Sequence, residues 1–195
     1  MSQLNVDTLK NSSGTGNGIA LQASGNIAFD TNTLYVDSTN DKVGINDSAP
    51  NASLEITGTE GVNINTSPIV EKVNNVGSST NSSTTVDLLT ASVHYYSSAN
   101  TGNFTPNFRG NGSTTLDSIM STNQVCVATL ISTNGGSTGY NTSVNIDGSG
   151  RTIEWIDGEA PDARGGTSGY DIYQYTILKT ASNTFTVFAC RSYCN

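Results

Sequence analysis

LYVDSTNDKVGINDSAPNASLEI, residues 34–56, decides how the front third of this 195-residue chain must be built. Its apolar residues come in small bursts, Leu34-Tyr35-Val36, then Val43 with Ile45, then Leu54 with Ile56. Asp, Asn, Ser, Gly or Pro fences each burst, the pattern of very short strands bounded by turns. No burst is large enough to form a core alone. A chain that keeps making such strands without the apolar mass to cover them borrows its core, either from stacked repeats or from identical chains around an axis. The N-terminal third is therefore expected to be a slender homo-oligomeric stalk.

Working outward, the same rhythm runs over residues 26–76. Ile27-Ala28-Phe29, Val62 with Ile64, and Ile69-Val70 join the bursts above, spaced roughly eight to eleven residues apart. That spacing fits a small β-prism or β-helix-like shaft in which three chains intertwine and Val36, Ile45, Leu54 and Ile56 meet at the axis; the competing form is a monomeric meander. Residues 1–25 carry Leu4, Val6 and Leu9, then the glycine-punctuated NSSGTGNGIALQASGN, and read as an N-terminal attachment segment. Residues 77–85, GSSTNSSTT, lack apolar side chains and read as a hinge.

Past the hinge, longer strands are expected at 86–89, 92–96, 104–108, 124–132, 140–146, 152–156, 170–180 and 184–190, with a helical turn at 116–120. Residues 86–195 thus predict a C-terminal β-sandwich head of jelly-roll or Greek-key type, the part long enough to bury its own core. Along 170–179, Tyr170, Ile172 and Leu178 alternate with Tyr173, Tyr175 and Ile177, so both faces of that strand are apolar. Such a strand lies between layers or against a sister subunit. The whole chain is expected to be all-β, since Gly, Ser, Thr and Asn replace the residues that build helices.

Composition excludes several functions. Hydrophobic content is 34%, charged content 12% and the formal net charge −8. The basic residues Lys10, Lys42, Lys72, Arg109, Arg151, Arg164, Lys179 and Arg191 are scattered, so no basic footprint exists for phosphates, and no nucleic-acid partner is expected. No run reaches the roughly 18 apolar residues of a membrane span, and MSQLNVDTLK lacks the features of a signal peptide. Synthesis in a cytoplasm without secretory export, and no membrane insertion, are the expectations.

Candidate chemistry is sparse. His94, the single histidine, sits mid-strand in SVHYY with no nucleophile motif beside it and reads as structural. Cys126 lies in the apolar run VCVATLI, and Cys190 with Cys194 falls short of a zinc ligand set; free thiols are expected, with no metal and no cofactor. The richest stretch is DGSGRTIEWIDGEAPDAR, residues 147–164. It gathers carboxylates around one indole, and Trp155, Asp157, Glu159, Asp162 and Arg164 are the candidate surface contacts for a ligand. Turn chemistry accounts for Asp147-Gly148 and Asp157-Gly158 without any ligand. No catalytic residue is assigned, and no enzyme is expected.

The run Leu34-Tyr35-Val36-Asp37, the turn Ser38 to Asp41, Lys42-Val43-Gly44-Ile45-Asn46, Ser48-Ala49-Pro50 and Leu54-Glu55-Ile56 resembles the "VD-turn-VGI-SP-LDV" segment of bacteriophage tail-fibre and related virion proteins. Residues 1–16 and the half after Thr80 resemble virion structural proteins of marine phages, particularly those of cyanobacteria. The resemblance implies a short homotrimeric tail fibre held to other phage virion proteins by its N-terminal segment. Its head loops, around 110–112, 134–139 and 155–169, would then meet a host cell-surface glycan or protein. A capsid decoration, neck or tail-assembly protein that binds only other virion proteins is the alternative. Either job places the chain in the virion after assembly in a host cytoplasm.

Overall fold

The computed structural model of the chain describes residues 8–9, 19–21, 23, 25–29, 33–58, 62–65, 67–81, 83–135, 139–163 and 165–194. Over these residues the protein is all-β, with three sheets and one four-residue helix, as expected. No helix among them is long and apolar enough to cross a membrane. Most of the expected attachment segment, 1–25, lies outside the described residues. The chain divides into two compact units, 1–68 and 69–195.

The first unit is one sheet of β1 (Thr8–Leu9), β2 (Ile19–Leu21), β3 (Ile27–Phe29), β4 (Leu34–Asp37), β5 (Lys42–Ile45) and β6 (Leu54–Ile56), side by side in chain order. β1 to β5 form an antiparallel meander, and β6 adds parallel to β5. The turn between β4 and β5 falls where the sequence puts it. Asp37 Oδ1 accepts from the N–H groups of Thr39 and Asn40 at 3.0 and 3.2 Å, and Asp41 takes a left-handed φ of 54°.

Register sorts the side chains of this sheet sharply. Cross-strand partners share a face, so the pairs Ile27 with Val36, Leu34 with Ile45, Val36 with Val43, Val43 with Leu54, and Ile45 with Ile56 put all of these residues on one side. The other side carries Tyr35, whose hydroxyl accepts from Asn26 Nδ2 at 2.6 Å, and Gly44. Among the described residues of the unit, Tyr35 and Pro50 are the buried apolar side chains. The apolar face is half-buried over β4 and β5 and exposed at Leu54 (59%) and Ile56 (42%).

The second unit contains β7 (Val73–Val76), β8 (Thr84–Asp87), β9 (Val93–Tyr96), β10 (Pro106–Arg109), α1 (Leu116–Ile119), β11 (Val125–Thr133), β12 (Val144–Ile146), β13 (Ser149–Arg151), β14 (Ile153–Trp155), β15 (Tyr170–Ala181) and β16 (Thr184–Cys194). One sheet has the order β13-β12-β10-β8 and the other β14-β16-β15-β11-β9-β7. Both contribute to one core. Val86, Phe108, Val144 and Ile146 from the smaller sheet meet Leu130, Tyr173, Tyr175, Ile177 and Val187 from the larger. Phe108 meets Tyr175 edge to face at 4.9 Å, and Phe104 meets Tyr173 likewise at 5.3 Å.

Two expectations are corrected here. The hinge at 77–85 is not a linker: Thr80 is fully buried with its hydroxyl 2.9 Å from that of Ser132, and Thr84 and Thr85 belong to β8. The shaft also stops short of 76, because β7 pairs in parallel with β9 inside the second unit, moving the boundary to 68/69. Polar composition misled because threonine and serine suit strands and bond to backbone as readily as they suit linkers.

The connections of the second unit also differ from a jelly roll or Greek key, whose strands run antiparallel. From β7 to β12 the chain alternates between the two sheets, so β7, β9 and β11 lie parallel in one and β8, β10 and β12 parallel in the other. Hairpins close the unit. The β12–β13 turn is Asp147-Gly148 with φ of 51° and 80°, the paired left-handed conformation a two-residue hairpin needs.

α1 is held at both ends by side chains. The Asp147 carboxylate accepts from the N–H groups of Leu116 and Asp117 at 2.7 and 3.0 Å, and the Thr115 hydroxyl from Ser118 N–H at 3.1 Å. At the other end Lys179 Nζ, buried, donates to the carbonyls of Asp117 and Met120 at 2.6 and 2.8 Å and pairs with Asp117 Oδ1 at 2.8 Å. All three ammonium protons are thereby engaged.

Candidate functional site

The part of the stretch from Trp155 to Asp162 borders a concave surface. β14 ends at Trp155, held in parallel register with Ala189 of β16, and the chain then turns through Ile156–Gly158 with φ of 68° at Asp157 and 77° at Gly158. The turn sends the chain over the end of β16 and opens a groove of about 330 Å³, bordered by Trp155, Asp157, Glu159, Asp162, Cys190 and Arg191. Four of the five sequence-predicted contacts therefore share one groove. Arg164 lies outside the described residues.

The groove is anchored from beneath by a carboxylate that sequence reading passed over. Asp171, 1% exposed, accepts from Gly165 N–H at 3.0 Å, Asn134 Nδ2 at 3.0 Å and the Tyr173 hydroxyl at 3.3 Å. Arg191 stands 3.8 Å from it and donates to the carbonyl of Ala163. One buried anion thus ties the loop 156–169 to β15 and β16. Gly165 and Gly166 are packing residues: a Cβ at Gly165 would strike the Asp171 carboxylate and the Tyr193 ring, and one at Gly166 the Tyr193 hydroxyl. The sequence signal for Asp171 is its place at the head of the inward row Asp171, Tyr173, Tyr175, Ile177 and Lys179.

Chemically, the groove offers an indole, three exposed carboxylates and one guanidinium already committed to protein acceptors. That set suits contacts with hydroxyl-rich or cationic groups through acceptor oxygens and a stacking face. Among the described residues no three His, Cys, Asp or Glu side chains gather as a metal site would need.

The remaining reactive side chains serve the fold. His94 is 1% exposed; its Nε2 lies 3.0 Å from the Ala91 carbonyl, which can only accept, so Nε2 carries the proton and Nδ1 accepts from Asn74 Nδ2 at 3.1 Å. Burial pushes its pKa below the usual 6.5. Cys126 packs against the core, and burial pushes its thiol up to about 11. Cys190 and Cys194 are free, and four residues apart on one strand they stand roughly 13 Å apart, beyond the ~7 Å a disulfide spans.

Of the head loops expected to face outward, Gly110, Asn134 and Gly139 are buried, and 136–138 lie outside the described residues. The 155–169 loop is the one with broad exposure. No family model, curated protein or solved structure matches this chain.

Proposed function

We propose that the chain is a virion structural protein of the bacteriophage fibre kind, a short trimeric appendage fixed at its N-terminal end and carrying the 69–195 unit as a head. One observation carries the oligomer: the first unit has an apolar sheet face that its own described residues leave uncovered, ending in exposed Leu54 and Ile56. Three copies turning those faces inward give one another the core that each lacks. The virion assignment follows the resemblance of residues 34–56 to fibre segments.

The head then works as a presenter rather than as an enzyme. A groove of exposed carboxylates beside Trp155 makes weak contacts with a host surface glycan or protein, and three grooves on one assembly multiply weak contacts into avidity. Two measurements test this. Light scattering should give three times the chain mass, and a monomer at micromolar concentration removes the proposal. An electron-microscopy map of the particle should place the chain at a tail appendage; a position on the capsid or neck would assign it instead to decoration or assembly, with no host contact.

A further inference from the structure

Among the described residues of the second unit, nothing forms a layer over the outer face of its larger sheet. Inward positions of β9, β11, β15 and β16 fill the core, so their alternates point away from it. Register aligns Tyr95, Ile131 and Ile172 in one row and Val127 with Phe188 in another, with Val93 beside them. Tyr95 and Tyr170 meet edge to face at 6.0 Å, and with Ile131 and Ile172 they line a shallow hollow. Across β7, β9, β11, β15 and β16 the outward positions hold no charged side chain, and Glu154 of β14, paired with Phe188, is the one carboxylate on the strands of this face, at its edge.

We propose that this face is a second contact between copies of this chain, packing head against head. Two observations name the occupant. The chain carries a net charge of −8, so an identical copy can approach closely only where carboxylates do not meet, and away from Glu154 at its β14 edge this face satisfies that condition. Area is the other. The apolar face of β3–β6 spans about 19 by 13 Å from strand spacing and rise, roughly 250 Å², far below the ~800 Å² per partner of a stable interface. The outer face over β9, β11, β15 and β16 spans about 19 by 30 Å, and the two faces together reach about 800 Å². A trimer joined by the first unit alone would be too slight; joined by both, it has an ordinary interface. The inference rests on the trimeric reading and extends it to the head.

Two tyrosines of the same sheet make the test. Tyr170 is 40% exposed on the outer face and Tyr193 41% exposed on the opposite one, so a free head labels both alike. Hydroxyl-radical labelling of the full chain, read by mass spectrometry, should find Tyr170 about tenfold less oxidised than Tyr193 in the assembled protein. Ile172→Asp, which plants a charge at the centre of the face, should restore equal labelling and weaken association about tenfold or more. Equal labelling in assembled wild type overturns the head contact and leaves the contact through the first unit standing. A monomeric wild type overturns both.

Discussion

Replacing Leu54 and Ile56 together by Thr separates the two accounts of the first unit. Thr keeps a branched, strand-compatible shape while removing most of the apolar surface. In a chain that folds alone, both side chains are surface residues, and the substitution changes stability by no more than about 0.5 kcal/mol. In a trimer they are core. Full burial of a Leu or Ile side chain contributes about 1.5–3 kcal/mol. With 59% and 42% of the two surfaces still exposed, association would bury the remainder for about 2 kcal/mol per copy. Three copies lose about 6 kcal/mol, a factor of about 10⁴ in the trimer–monomer constant. The midpoint concentration scales as the square root of that constant, so it rises about 100-fold. Sedimentation over a concentration series reads this shift directly. A trimeric wild type whose midpoint moves less than about threefold in the double variant would show that this face is not the interface, and the reasoning from exposed apolar area would fail.

Three further outcomes follow from named contacts. Burial holds His94 neutral below its unfolded pKa of 6.5, so the unfolded chain binds the extra proton first and stability falls as pH drops through 6.5; His94→Gln should flatten that limb in urea titrations run from pH 7.5 downward. Gly165→Ala forces a collision with Asp171 and Tyr193 and should free the 156–169 loop, seen as faster proteolysis within it and altered Trp155 fluorescence, while the urea midpoint of the core moves little. Phe108→Ala empties a fully buried site against Tyr175 and should cost about 3–5 kcal/mol in chemical denaturation.

Local pattern carried the strands because short apolar bursts between turn residues have few other uses. The β4 to β6 bursts and the Asp147-Gly148 turn sit where sequence places them, the runs expected at 124–132 and 170–180 are strands to within a residue at each end, and the one expected at 184–190 continues to Cys194. Partner choice was not legible. Nothing in VNNV at 73–76 announces a parallel neighbour, and a Ser-Gly-Arg strand such as β13 has no apolar residue to betray it. The candidate groove was half legible: Trp155 and the carboxylates announced themselves by composition, whereas Asp171 and Arg191, which hold the loop, looked like ordinary strand positions.

The two units differ in what holds them together, and that difference bears on assembly. The second has a contiguous core, with side chains from both sheets fully enclosed, and its buried Asp171, Lys179 and His94 are each paired. Its fold does not wait on a partner. The first unit buries Tyr35 and little else among its described residues, while fixing the backbone of each residue costs about 1–2 kcal/mol. On the proposed trimeric reading, a six-stranded sheet whose apolar face its described residues leave uncovered recovers that cost through association, and its ordering then shares the concentration dependence of the trimer. On that reading, a head that folds first and tolerates dilution, joined to a sheet that sets only when copies meet, would suit a component delivered singly and locked in place at assembly.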